Sequence, residues 1–298
     1  MLNREITKYL ANKHIAGPEL TNALIICRMA SRSCWANTIS VWTAESSGAG
    51  ENLKKYKEIL KAITDNNFNS YLSMKPSALC FDIKMFEALA EVASVKNIRI
   101  HFDSLSPDMA GPYLSFLNNA HMAYKNLGYT LPSRWLRSLE DADRISKYKI
   151  PVRIVKGQWG DPANKRIDPK ENYLNLVKRL SGKVPLIAIA THDRITAEKA
   201  INILDKDNVP FELEQFFSLP FIKARIIPEN KFIKKRIYVV YGEPYLPYNL
   251  RSANKRPEML LWLIKDILNI KPHYAFEILD NNNVQKEFYE VVQNKTAD

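Results

Sequence analysis

Apolar residues along this chain fall in short runs rich in β-branched and aromatic side chains, each followed by a longer stretch with helical spacing. The runs are NTISVWTAE (37–45), NSYLSMKPS (69–77), NIRIHFD (97–103), GYTLPS (128–133), PVRIVKG (151–157), PLIAIAT (185–191), FELEQF (211–216) and RIYVVYG (236–242). Between them the spacing predicts helices over 53–63, 83–95, 111–127, 134–146, 170–180 and 196–207. A seventh, around SLPFIKARI, is short and poorly marked; an eighth over 249–268 carries Pro257, which begins or kinks its main body. Strand alternating with helix implies a parallel sheet. Repetition every 24 to 34 residues or so, about eight times, predicts an α/β fold of the (β/α)8 TIM-barrel type over 37–270. An open doubly wound sheet is the competitor, and it lacks a GxGxxG after the first strand. Residues 1–36, with the apolar LTNALIICRMA, predict a helical extension, and 271–298 a C-terminal helix. No linker divides the chain, so a single domain is expected.

Composition narrows the class. The chain has 298 residues, 46% hydrophobic and 25% charged, enough for one large core. No apolar run reaches the length of a membrane-spanning helix. The mixed, polar start MLNREITKYLANKH is unlike a signal peptide, so a cytoplasmic protein is expected, with peripheral contact at the inner membrane surface left open. Cys27, Cys34 and Cys80 form no CxxC or Cys/His cluster; three buried thiols are expected, and no metal. The net charge of +11 invites a nucleic-acid reading. The cations are dispersed, however, and only KFIKKR (231–236) is dense, so no nucleic-acid partner is expected.

In such barrels chemistry gathers at the carboxyl ends of the strands. Those ends offer Glu45, Lys75, Asp103, Ser133, Lys156, Thr191 with His192, Gln215, and Tyr238 with Tyr241. Charge inside apolar runs is less ordinary: Arg153, Lys156, Lys75 and His101. Buried cations need partners. Glu45 and Asp103 serve some, and cations at the rim suggest a bound phosphate or carboxylate.

The segments YLSMKPSAL (71–79), IRIHFD (98–103), VRIVKG (152–157), IATHD (189–193), FELEQF (211–216) and RIYVVYGEPYLPYNLR (236–251) resemble, in order and spacing, the motifs of the proline dehydrogenase family. The resemblance covers roughly residues 37–262. It implies FAD as cofactor and oxidation of L-proline or a related cyclic or secondary amine by hydride transfer to flavin N5. It implies Arg153 beside the isoalloxazine, Lys156 and Gly157 at the pyrophosphate or ribityl region, and Thr191, His192 and Gln215 completing the flavin contacts. On the substrate side it implies Lys75 and Arg251 on the carboxylate and Tyr238 against the ring, with Glu45 and Asp103 as nearby acids. The electron acceptor stays open among quinone, oxygen and a partner flavoprotein. The plainer alternatives are that Thr191 caps a helix, His192 is a rim residue, and Arg153 pairs only with Asp103.

The departures from the family pattern cluster at the site. Ser252 stands where the second arginine of a pair is expected, and Lys255 where a glutamate is. Gly160 replaces an aromatic, with Trp159 one place earlier; Pro132 replaces a glutamine and Asp193 an asparagine. Lys255 shares a helical face with Ser252 and could replace its charge as a point cation. The altered clamp suggests a substrate with a masked carboxylate, such as an amide, ester or carrier thioester. Two rival readings remain: a barrel that only binds a ligand, and a flavin-independent hydrolase using Glu45 and Asp103.

Overall fold

The computed structural model describes residues 15–43, 47–163, 166–217 and 233–243. Helix α1 (Leu20–Arg32) precedes the barrel. Then come β1 (Ala36–Trp42), α2 (Ala49–Asp65), β2 (Ser70–Met74), α3 (Ile83–Ser94), β3 (Ile100–Phe102), α4 (Ala110–Ala123), β4 (Leu127–Pro132) and α5 (Ser138–Ser146). The series continues through β5 (Val152–Val155), α6 (Pro169–Leu180), β6 (Ile187–Ala190), α7 (Arg194–Lys206), β7 (Phe211–Phe216) and β8 (Lys234–Gly242). All neighbouring strands pair in parallel, and β8 closes on β1 from Ala36↔Arg236 to Trp42↔Gly242. The chain therefore folds as the eight-stranded parallel barrel that its sequence pattern predicts.

Two of the helix boundaries that differ from expectation are set by tertiary contacts. The helix expected over 111–127 ends at Ala123, because Tyr124 turns extended and its hydroxyl donates to the Ile98 carbonyl at 2.8 Å. The helix expected from residue 134 starts at Ser138. Residues 134–136 are held instead by the loop after β5: Arg134 N–H donates to Lys156 O, Trp135 Nε1 to Trp159 O and Leu136 N–H to Asp161 Oδ2. The expected helices at SLPFIKARI, 249–268 and 271–298, and residues 1–14, lie outside the described residues.

The thiol expectation is corrected. Cys27 is buried in α1, where burial pushes its thiol up, but Cys34 and Cys80 are exposed. Both occupy left-handed turns, with φ of 60° and 50°, just past the ends of α1 and of the 3-10 turn Pro76–Leu79. Such turns lie at the surface, where side chains leave the core.

Side chains alternate across each strand, so one face meets the helices and the other the barrel lumen. Ile39, Leu72, Ile100, Ile154, Ile189, Leu213 and Val239 supply the helix-facing core. The opposite parity is polar: Thr38, Tyr71, Ser73, His101, Thr130, Arg153, Glu212, Glu214 and Arg236, all buried. A lumen filled by charged and hydroxyl side chains departs from the usual branched aliphatic filling. Gly128 makes room in it, since a Cβ there would lie 2.2 Å from His101 Nδ1. Gly128→Ala is expected to destabilise the fold by about 1–3 kcal/mol through overpacking, read as a lower urea unfolding midpoint with an unchanged slope.

Candidate active site

Arg153 sits in the middle of β5 and is 2% exposed. Its Nη1 donates to Glu214 Oε1 at 3.0 Å, and its Nη2 bonds Asp103 Oδ1 and Ser73 Oγ. Nε donates to Thr130 Oγ1 at 3.1 Å. Glu214, on β7, also accepts from Thr38 Oγ1 at 2.8 Å and Tyr71 OH at 2.9 Å. The Tyr238 hydroxyl donates to Asp103 Oδ2 at 2.7 Å, and its ring lies 4.9 Å from the Arg153 guanidinium carbon. Phe216 stacks on that ring, centroids 5.5 Å apart. Strands β1, β2, β4, β5, β7 and β8, with the residue that follows β3, thus contribute to one network in the upper lumen.

The electrostatics follow from burial and pairing. Burial opposes the Arg153 charge, but Glu214 and Asp103 outweigh it and hold the guanidinium well above its usual pKa. Burial, reinforced by the Asp103 carboxylate, pushes the Tyr238 phenol well above its usual range, so it stays a donor. Burial first, then Arg153, Arg99 and Arg236, hold His101 well below the ordinary histidine value, so it is neutral at neutral pH. Two protein carboxylates balance Arg153, Asp103 and also Glu214. The unmet cations are at the rim. Lys75, directly after β2, and Lys156, directly after β5, make no ion pair among the described residues.

Other expected residues take separate positions. Gly157 has φ of +82°, and a Cβ there would lie 2.6 Å from Pro132 Cβ, so the proline and the glycine are fitted to one another. Its carbonyl accepts from Arg134 Nε at 2.8 Å. Thr191 Oγ1 accepts from the Asp193 N–H, and His192 Nε2 from the Phe216 N–H at 2.9 Å, tying the loop after β6 to the end of β7. Asp193 caps α7 through the Thr196 N–H and hydroxyl and accepts from Lys170 Nζ. Partial burial raises its pKa, but these donors outweigh it and hold it at about 2.

Gln215 does not join the cluster. It is one residue from Glu214, and a one-residue step reverses the face of a strand. Its buried Nε2 has no hydrogen bond, while Glu214 reaches Arg153. Glu214, Thr38, Ser73, Thr130 and Tyr71 were not among the expected site residues. The signal for Glu214 was the strict alternation of FELEQF, which places Glu212 and Glu214 on one face. Glu45, Arg251, Ser252 and Lys255 lie outside the described residues.

The residues present suit a cofactor rich in hydrogen-bond acceptors. The guanidinium has five N–H donors, and among the described residues four acceptor atoms engage it, leaving one Nη1 donor uncommitted there. The two rim lysines offer charge of the sign a pyrophosphate requires.

These features define a TIM-type barrel with a charge-compensated arginine beneath its C-terminal mouth. No family model matches the chain. It is 23% identical to proline dehydrogenase 1 of Bacillus subtilis (strain 168), over 89% of this chain and 96% of that one. It is 21% identical to proline dehydrogenase 2 of the same strain, over 87% and 90%. In structure it resembles proline utilization A (PutA) from Bdellovibrio bacteriovorus inactivated by N-propargylglycine, with TM-score 0.70, 17% identity and 90% of this chain covered. A mutant PutA from Bradyrhizobium japonicum gives TM-score 0.62, 15% identity and 93% of this chain. The chain spans about a third of those PutA chains, 35% and 32%. It is a distant homologue of the proline dehydrogenases.

Removing one partner of a buried ion pair leaves the other charge uncompensated. Glu214→Leu is expected to cost about 3–5 kcal/mol. The double variant Arg153→Met/Glu214→Leu should recover much of that loss, because the charge and its partner leave together. Urea unfolding of the three proteins checks it; equal loss in the double and single variants would contradict the pairing.

Proposed function

We propose that this chain is an FAD-dependent oxidoreductase that converts L-proline, or a proline-like cyclic or secondary amine, to the corresponding imine. What carries the reading is the similarity to proline dehydrogenases along nearly the whole chain. The polar cluster at the C-terminal mouth supports it. When bound, FAD supplies the hydride acceptor.

The chain's own residues bind and orient. Arg153 is fixed in place by four acceptor atoms, so its remaining N–H needs no reorganisation to meet a ligand. Tyr238 is held in place by Asp103 at its hydroxyl and by stacking on Phe216. Lys75 supplies a cation for a carboxylate at the same end of the barrel. Asp103 engages both oxygens, one with Arg153 and one with Tyr238, so it serves to position these two groups. The amine that reacts is the unprotonated one, because an ammonium resists the positive charge that hydride loss builds beside it. The same engagement counts against a hydrolase with Asp103 as its acid, which needs a free carboxyl.

Ser252 in place of a second arginine removes one charged hydrogen bond to a carboxylate, a loss of about 1.5–3 kcal/mol or roughly ten- to a hundredfold in affinity. We therefore favour a substrate whose carboxylate is masked or weakly held. The electron acceptor is a quinone, oxygen or a partner flavoprotein.

The visible spectrum of the purified protein tests the reading. A flavin band that bleaches on anaerobic mixing with L-proline, proline amide or another cyclic amine is expected, with the amide preferred. A colourless protein that FAD does not stabilise would overturn it, and ordinary turnover of free L-proline would remove the masked-carboxylate part. A second expectation concerns pH. The kcat/KM is expected to rise with pH below the pKa of the substrate's ammonium, with a slope of about one in the logarithm. A flat profile there would show that the protein itself accepts the proton.

A further inference from the structure

The opposite end of the barrel holds a polar cavity of about 270 Å³. It opens at the amino ends of β2, β3, β4 and β8. Its ionisable lining is cationic: Lys96, Arg99, Lys234 and Arg236. The nearest compensating carboxylate is Glu212, which is buried and bonds Arg236 Nε at 2.8 Å with Lys234 Nζ at 3.7 Å. Among the described residues, Glu212 is thus the carboxylate that pairs with this cationic lining.

Helix carboxyl termini also lie at this end and favour cations. That accounts for Lys96, which follows α3, but not for the two arginines. Arg99 shares strand parity with His101 and Asp103, so its side chain turns under the lumen. Arg99 and Arg236 both lie against the Tyr71 ring, 4.8 and 4.4 Å from its centroid. Two like charges share one aromatic ring. Burial first, with Arg236 and Arg99 adding to it, lowers the Lys234 pKa despite Glu212.

Among the described residues, several donors here have nothing to donate to. Arg99 Nε and Ser70 Oγ are buried with no hydrogen-bond partner, and both residues line the cavity. Arg236, 2% exposed, uses Nε on Glu212 and Nη1 on the Asn37 and Asn69 carbonyls, and its Nη2 makes no hydrogen bond to the described residues. Buried donors left unmatched cost free energy that an acceptor would recover.

The geometry points to a binding site for a small oxyanion, a phosphate or carboxylate group, at the amino-terminal mouth of the barrel, gripped by Arg99, Arg236 and Ser70. It is separate from the cluster around Arg153 and does not rest on the flavin reading. Its size admits a phosphate with a modest organic substituent.

Isothermal titration of the full chain with inorganic phosphate, at constant ionic strength set with sodium chloride, tests it. Saturable binding at one site per chain is expected. Arg99→Gln should weaken it about tenfold or more, the worth of a charged hydrogen bond. Ser70→Ala, which breaks no existing bond, should weaken it less while leaving the thermal midpoint without phosphate unchanged. If Arg99→Gln does not fold, Ser70→Ala decides. Absence of saturable binding would overturn the site, as would wild-type phosphate affinity in every variant that folds.

Discussion

A single guanidinium organises the upper half of this barrel. Arg153 is almost fully enclosed, and an isolated buried cation would be untenable. Asp103 and Glu214 make it tenable, and each is held in turn by hydroxyl groups from other strands. The network fixes β2, β5, β7 and β8, and the start of the loop after β3, to one another through side chains as well as backbone. It also brings the Tyr238 ring over the guanidinium at the mouth where such folds place their chemistry. Positioning of ligands and integrity of the lumen therefore rest on the same hydrogen bonds.

The lumen divides into two charged storeys. Glu214 and Asp103 balance Arg153 above, and Glu212 pairs with Arg236 below. Tyr71 joins them, its hydroxyl on Glu214 and its ring against Arg236 and Arg99. The upper storey carries more negative than positive charge among these residues, the lower the reverse. That asymmetry is why one end presents a self-sufficient cluster with lysines at its rim, while the other leaves cations and donors unmatched.

Much of the fold was legible because each strand carries its own signal. VRIV, IAIA and YVVY are dense in β-branched or aromatic residues and bounded by Pro, Gly or polar positions, and all lie in strands. The helix boundaries at Ala123 and Ser138 were not legible, since bonds from Tyr124 and the loop after β5 set them. The site was legible in part. Arg153 stands out as a charge inside an apolar run, Asp103 and Tyr238 as polar residues near strand ends, and the three meet. Thr38, Ser73 and Thr130 are ordinary strand hydroxyls whose role depends on register, as when Thr130 pairs with Arg153 across β4 and β5. Gln215 was named by motif likeness, and strand parity puts its neighbour Glu214, not Gln215, into the lumen network.

A crystal structure of the protein saturated with FAD tests the central claim most directly. The account predicts an isoalloxazine at the C-terminal mouth within hydrogen-bond reach of Arg153, with Asp103 and Glu214 still on the guanidinium. A flavin lodged away from that arginine, or a mouth closed over an intact Arg153 cluster with no coenzyme, would contradict it.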